Sequence, residues 1–304
     1  MTAFPDEPTR ATSRHDPKTP DGAVAPALAA CYVPPMLEPY LRQWGLVSTG
    51  DLIVTRTSQL LPVLFHGQPA MLKVTGDADE RYGHLLMRWW AADGAARVLA
   101  CDDGAVLLER ATGSRSLVRL AEHGRDDEAT RIICAVARRL HTPRGAPPPG
   151  LVPLTTWFEP LAPMAQAQGG ILVHAANAAT DVLASQREIV PLHADLHHEN
   201  VLDFGERGWL AIDPKRVIGE RTFEYTILFC DPDLGLPHLT IARRPEIFAR
   251  RLAAVSEAAG LETRRLLLWI LAWAGLSAAW QLTDDLDPGI ELQVAEMALA
   301  ALHA

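Results

Sequence analysis

The sequence predicts an α+β fold, with a small antiparallel sheet followed by a larger, mainly helical region. Two patterns carry that prediction. Between Asp51 and Arg110, short apolar stretches (LIVTRT, LPVLFHG, AMLKV, ARVLA, AVLLER) alternate with turn-prone groups such as Gly67-Gln68-Pro69, as strands do. From Asp126 onward, longer segments carry apolar residues at helical spacing. Strands gathered in one block and helices in the next mark α+β rather than alternating α/β architecture. The chain has 304 residues, 48% of them apolar and 21% charged, enough to bury a sizeable core as one bilobal domain or two small ones.

Taken in order, the elements begin after a polar, Pro-containing stretch. Residues Met1 to Pro20 have no apolar core and no secretory pattern, so residues 1–25 read as a flexible tail. MLEPYLRQW, Met36 to Trp44, places apolar groups at helical spacing, and Gly45 can end that helix in a left-handed conformation. About five strands with one inserted helix, Asp77 to Trp90, then occupy Asp51 to Arg110. A helix over Glu128 to Leu140 carries Arg138 and Arg139 in its last turn, where positive charge suits exposed carbonyls. The prolines of Pro143 to Pro149 force an exposed connection. A helix over Ile171 to Gln186 follows, then two short strands, NVLDF and WLAIDP, around the turn Gly205 to Gly208. The apolar run Leu266 to Trp280 is too short for a comfortable membrane span and reads as a buried helix, with Trp269, Trp273 and Trp280 as a core stripe.

Charge and cysteine usage narrow the function classes. A formal charge of -9 opposes a nonspecific grip on nucleic acid or anionic membrane and favours cationic partners. Cys31, Cys101, Cys134 and Cys230 form no CxxC pair, which reads as reduced thiols in a cytoplasmic protein, monomeric or weakly dimeric.

The chemistry concentrates in His193-Ala194-Asp195-Leu196-His197-His198-Glu199-Asn200 and, beyond a hairpin, Ile212-Asp213-Pro214. Phosphoryl transfer needs a group that orients a hydroxyl toward phosphorus and oxygen ligands that hold magnesium against the phosphates. Asp195, Asn200 and Asp213 supply those groups, and the five-residue step from Asp195 to Asn200 equals the aspartate-to-asparagine step of kinase catalytic loops. His197 and His198 have no third ligand at zinc spacing. His193 is placed with the catalytic residues, better suited to holding the loop through its ring than to acting as a base. Lys73, inside the apolar strand AMLKV, must find an anion or lose its solvation uncompensated.

MLKV (71–74), GAARVLA (94–100), LLER (107–110), HADLHHENVLDFGERGWLAIDP, GERTF and LSAAW (276–280) occur in that order. The chain from Leu46 to Ala304 thereby resembles the aminoglycoside/hydroxyurea phosphotransferase family, most closely its streptomycin 6-kinase branch. The resemblance implies a bilobal, protein-kinase-like fold, with an antiparallel-sheet N-lobe over residues 26–111 that binds ATP and a helical C-lobe over residues 112–304 that binds the acceptor. It implies Asp195 as the catalytic aspartate, Asn200 and Asp213 as Mg2+ ligands, Lys73 as the phosphate lysine with Glu80 as its partner, and Glu109, Arg110 and Ala111 as the hinge that meets adenine. Arg56 to Leu61 contains no glycine, so Thr57 and Ser58 take over contact with phosphate. The small-molecule acceptor expected from the resemblance is cationic: streptomycin at the 6-hydroxyl of its streptidine ring, with Glu220, Glu224, Asp231 and Asp233 receiving its guanidinium groups. Hydroxyurea or another small metabolite, or nucleotide binding without transfer, are the alternatives. Ala194 stands where the family has glycine, and Arg216, Ile227 and Asp231 also depart from its pattern.

Overall fold

The computed structural model describes residues 36–55, 57–76 and 82–304. The expected tail over residues 1–25 and the candidate partner Glu80 lie outside the described residues. Helix α1 (Glu38–Gln43) leads in, and Gly45 follows it at φ +62. Strands β1 (Val47–Ser48), β2 (Ile53–Val54), β3 (Ser58–Phe65) and β4 (Gln68–Thr75) come next, then α2 (Gly83–Trp89), β5 (Val98–Asp102) and β6 (Ala105–Glu109). They form a six-stranded antiparallel sheet in the order β1-β3-β4-β6-β5, with β2 also paired to β3. The sequence expectation missed β1, a two-residue strand too short to leave a periodic signal.

Strand period fixes what each face does. Leu61, Val63, Ala70, Leu72, Val74 and Leu107 point one way and, with Leu37, form the core of the sheet lobe. Their neighbours Leu60, Met71, Lys73, Thr75, Val106 and Leu108 point the other way and line a cleft. Lys73 is therefore carried to the cleft by the same alternation that buries Leu72 and Val74.

The C-lobe contains α3 (Leu117–Glu122), α4 (Asp126–Leu140), α5 (Leu154–Trp157), α6 (Leu161–Gln168), α7 (Ile171–Ala184), α8 (Pro245–Ala259), α9 (Thr263–Thr283) and α10 (Gly289–His303). Helix α9 packs against both α7 and α10, and Trp269 and Trp273 are buried as the stripe predicted, edge-on to Phe223. Among the described residues α9 alone is long and apolar enough to cross a membrane, but 72% of its most apolar window is buried inside the fold.

A second sheet, β7 (Val152–Pro153), β11 (Val217–Glu220) and β8 (Ile189–Leu192), has β11 in the middle. The sequence reading assigned no strand to these segments. Pro153 and Pro191 obscure two of them, and both prolines sit on the edge strands, where a missing N–H is tolerated. The expected hairpin is formed by β9 (Val201–Asp203) and β10 (Trp209–Ala211), with Gly205 and Gly208 at φ +63 and +74 in its turn.

Candidate active site

Strand β8 ends at Leu192, and the chain leaves it through His193 and Ala194, the latter at φ +59. That left-handed bend is held by the buried carboxylate of Glu224. Its Oε2 accepts the His193 amide at 2.9 Å, its Oε1 accepts the Ala194 amide at 2.8 Å, and His141 Nε2 lies 2.9 Å from Oε2. Burial alone would push Glu224 up; the hydrogen bonds and charge of His141 and His193 hold it below the ordinary range.

The β9–β10 hairpin brings the second half of the motif back. The Ile212 amide donates to the Asn200 carbonyl at 2.9 Å and the Lys215 amide to the His193 carbonyl at 2.8 Å. Asp213, at φ +62, thereby lies beside the loop, where its carboxylate pairs with the Lys73 ammonium. His193 is fully buried, stacked on Trp90 at 6.2 Å and donating from Nε2 to the Ile212 carbonyl at 2.8 Å. Burial lowers its pKa against the pull of Glu224 and Asp195. A ring so enclosed holds the loop and cannot meet an incoming hydroxyl, so His193 is not a catalytic base.

Asp195 remains accessible, its side chain 22% exposed, with Lys215 Nζ 3.4 Å from Oδ2. Asn200 donates from Nδ2 to the Asp195 carbonyl at 2.8 Å and to Asp195 Oδ2 at 3.2 Å. Next to these groups lies a cleft of about 540 Å³ between the sheet and the β9–β10 hairpin. One part is apolar, lined by Leu60, Met71, Val106, Leu108, Leu202 and Phe204. Thr57, Ser58, Lys73, Asn200 and Asp213 add polar and charged groups, and Glu109, Arg110 and Ala111 also line it. The Glu109 and Arg110 amides donate to the Arg97 and Pro69 carbonyls, whereas the Ala111 amide donates to no described residue. Gly83 opens the approach of α2, since a Cβ there would stand 2.4 Å from the Pro214 carbonyl.

The four acids assigned to the acceptor do not gather at the cleft mouth. Glu220 is fully buried and paired with Arg265, Glu224 is committed to the catalytic loop, and Asp233 is buried, accepting the Ile241 amide at 2.8 Å and facing Arg243. A carboxylate already saturated in this way has no lone pair directed outward for a guanidinium. Asp231 stands near the other end of the loop, 3.3 Å from His197 Nδ1, and it too is buried. Burial pushes its carboxyl up to about 6 against the opposing charge of His197; burial also disfavours the charged His197, yet Asp231 and Asp195 raise it overall.

Sequence reasoning missed the anchor made by Glu224 and His141, and the placement of Lys215 beside Asp195. The GERTFE segment marked Glu224 only as an acid near the motif; its partner His141 is 83 residues away in sequence, and no local pattern announces such a pairing.

Residues 43–285 match the family described as aminoglycoside/hydroxyurea antibiotic resistance kinase. The chain is 51% identical over 244 residues to a streptomycin 3''-kinase from Klebsiella pneumoniae, covering 80% of this chain and 91% of the relative. To a streptomycin 6-kinase from Streptomyces griseus it is 30% identical over 289 residues, covering 86% and 87%. The higher identity to the 3''-kinase overturns the resemblance to the 6-kinase branch and, with it, the 6-hydroxyl as acceptor. The motifs on which that resemblance rests do not discriminate one acceptor hydroxyl from another. Among solved structures, a choline/ethanolamine kinase family protein from Mesorhizobium loti superposes with a TM-score of 0.60 at 16% identity, covering 88% of this chain and 94% of that one. The fold is thus the bilobal, protein-kinase-like one, with a β-rich N-lobe and a helical C-lobe.

Proposed function

The chain belongs to the aminoglycoside/hydroxyurea antibiotic resistance kinase family, and we propose that, as a phosphotransferase acting on a hydroxylated small molecule, it transfers the terminal phosphoryl group of ATP to the 3''-position of streptomycin. The observation that carries the reading is the convergence of Lys73, Asp195, Asn200 and Asp213 beside one cleft. Family membership implies ATP and Mg2+, and the cleft fits both: an apolar slot can take a flat base, the Lys73 ammonium suits phosphate oxygens, and a carboxylate with an amide suits a hard divalent cation. When bound, Mg2+ neutralises phosphate charge as the transfer proceeds.

Asn200 and Asp213 would hold the cation. Lys73 would exchange part of its pairing with Asp213 for phosphate, Thr57 and Ser58 would cover the phosphates, and the Ala111 amide, with Glu109 and Arg110 beside it, would meet the base. The accessible Asp195 carboxylate would accept a hydrogen bond from the acceptor hydroxyl, orient its oxygen for in-line attack and take up its proton. The 51% identity to a streptomycin 3''-kinase supports the acceptor, and the net charge of -9 favours a guanidinium-bearing antibiotic.

Incubation of the purified protein with Mg2+, ATP and streptomycin, followed by NMR location of the new phosphate ester, tests the reading. A single ester at the 3''-position is expected. Phosphate at another hydroxyl overturns the regiochemistry, and transfer only to hydroxyurea or another acceptor overturns the substrate. Replacing Asp213 by alanine is expected to weaken Mg2+-dependent nucleotide binding at least about tenfold, measured by titration with and without the metal. Unchanged metal dependence would remove Asp213 from the ligand set.

A further inference from the structure

The β9–β10 hairpin takes hold of the hinge at two points. At its turn, Arg207 pairs with the Glu109 carboxylate and donates from Nη2 to the Ala92 carbonyl at 2.8 Å. At the end of β9, Asp203 takes the other side of the hinge, its carbonyl accepting the Gly113 amide at 2.9 Å. Its carboxylate, 4% exposed, accepts from Arg115 three times. Oδ2 receives Arg115 Nε at 2.8 Å and the Arg115 amide at 3.2 Å, while Oδ1 receives Nη2 at 2.8 Å and the Gly205 amide at 3.1 Å. The contact is so close that a Cβ at Gly113 would stand 2.1 Å from Asp203 Cγ. No side chain fits between hinge and strand there.

The two grips flank Arg110, Ala111 and Thr112, and Ala111 carries the amide that donates to no described residue. Leu202 and Phe204, on either side of Asp203, line the apolar part of the cleft, whereas Asp203 and Arg115 do not line it. The alternation of a strand turns Leu202 to the cleft and Asp203 to the hinge. One carboxylate thus ties the backbone that would meet a base to the wall on which the base would lie. A forked, charge-assisted pair fixes both distance and angle, as a single neutral hydrogen bond does not.

We infer that Asp203 and Arg115 are positioning residues for the nucleotide base, holding the Ala111 amide level with the apolar slot by fixing the hinge to the hairpin. The inference rests on the reading of the cleft as an ATP site with its base at Ala111. Neither residue touches the nucleotide, and their effect passes through the hinge backbone. The groups read as contacts for phosphate and Mg2+ are held by other means: Lys73 by β4, and Asp213 by the backbone bonds from Ile212 to Asn200 and from Lys215 to His193. A hinge released from Asp203 therefore loses the base contact, since a hydrogen bond weakens steeply with misplacement, and leaves the phosphate contacts standing.

Two probes separate the base from the phosphates: a non-hydrolysable ATP analogue and inorganic tripolyphosphate, each with Mg2+ and titrated by calorimetry into the full chain. Asp203→Ala is expected to bind the ATP analogue at least about tenfold more weakly and tripolyphosphate within about threefold of the parent protein. Its KM for ATP should rise while kcat at saturating ATP stays within about threefold of the parent. Equal losses for the two probes, or a matching fall in kcat, would mean general structural damage and overturn the inference, as would parental affinity for the ATP analogue. Should Asp203→Ala not fold, Arg115→Ala decides, because it removes a side chain that is 58% exposed and keeps the Gly113 bond. It should weaken the ATP analogue about 3- to 10-fold with tripolyphosphate unchanged, and parental affinity for the analogue overturns the inference. The parent protein separates the two levels. If it binds tripolyphosphate as tightly as the ATP analogue, it makes no use of the base, and the reading of the slot fails together with the inference. If it prefers the analogue and the variants keep that preference, the inference alone fails.

Discussion

Two residues of the site, Ala194 and Asp213, hold φ of +59 and +62, a conformation that costs a side-chain-bearing residue roughly 1–2 kcal/mol. Strain of this kind persists where the surroundings over-determine it, and for Ala194 the surroundings are the two amides bound by Glu224. Replacing Ala194 by glycine should relieve about 1 kcal/mol of backbone cost but lose a buried methyl worth about 0.8 kcal/mol and add unfolded-state entropy. The expected net change is within about 0.5 kcal/mol, whereas Ala194→Val, β-branched at positive φ, should destabilise by at least about 1 kcal/mol. Thermal denaturation of both variants checks the pair, and a large stabilisation by glycine would contradict the balance. His198 tests a different cost. Its ring is buried with no hydrogen-bond partner at either nitrogen among the described residues, and burial, reinforced by Arg251, pushes its pKa well below 6.5. Between that value and 6.5 the unfolded chain binds the proton and the folded one does not, so stability is present above 6.5 and falls as pH drops. Urea unfolding at about pH 7.5 and 5.5 should show His198→Phe losing about 1.4 kcal/mol less than the parent over that interval. Equal losses in both would mean that the folded protein protonates His198 readily.

Helices α4 and α8 are joined by two ion pairs one residue apart in sequence, and their surroundings give them very different weights. Asp126 and Arg251 are each 1% exposed and bidentate, at 2.9 and 2.6 Å, and Arg251 also donates to the Leu228 and Asp231 carbonyls. Asp127 and Arg250 meet at 3.1 Å with 42% and 47% of their side chains exposed. Removing one partner of the buried pair strands a charge out of water, so Asp126→Ala should cost about 3–5 kcal/mol. Asp127→Ala should cost at most about 1 kcal/mol. Denaturant midpoints measured side by side read the contrast, and similar losses would contradict it. Local pattern reveals helices such as α4 and α9 because their apolar residues recur along one segment. It does not reveal which acid on a helix has a buried partner 125 residues away, nor strands such as β7 and β8, whose prolines look like breakers until their edge positions are known.

Across the whole molecule, what was legible in the sequence is what the chemistry forces into a short span. Asp195 and Asn200 share one loop, Asp213 follows a hairpin marked by two glycines, and Lys73 is a lone charge in an apolar strand; Lys73, Asn200 and Asp213 line one cleft, and Asp195 is hydrogen-bonded to Asn200 at its edge. The reading of Glu220, Glu224 and Asp233 as acceptor contacts failed because a carboxylate's availability depends on distant partners, Arg265, His141 and Arg243. The acceptor hydroxyl was misread because the motifs shared by the 3''- and 6-kinases carry little information about which hydroxyl accepts. On the function proposed above, this cleft passes phosphate from ATP to streptomycin with Asp195 orienting the hydroxyl. Transfer of label from γ-labelled ATP to streptomycin, followed in parallel for the parent protein and Asp195→Asn at saturating nucleotide, tests it most directly. The parent should label streptomycin, and the variant should do so at least about 100-fold more slowly while binding nucleotide within a few-fold of the parent. Label that never reaches streptomycin, or that reaches it at the parental rate in Asp195→Asn, would contradict the claim.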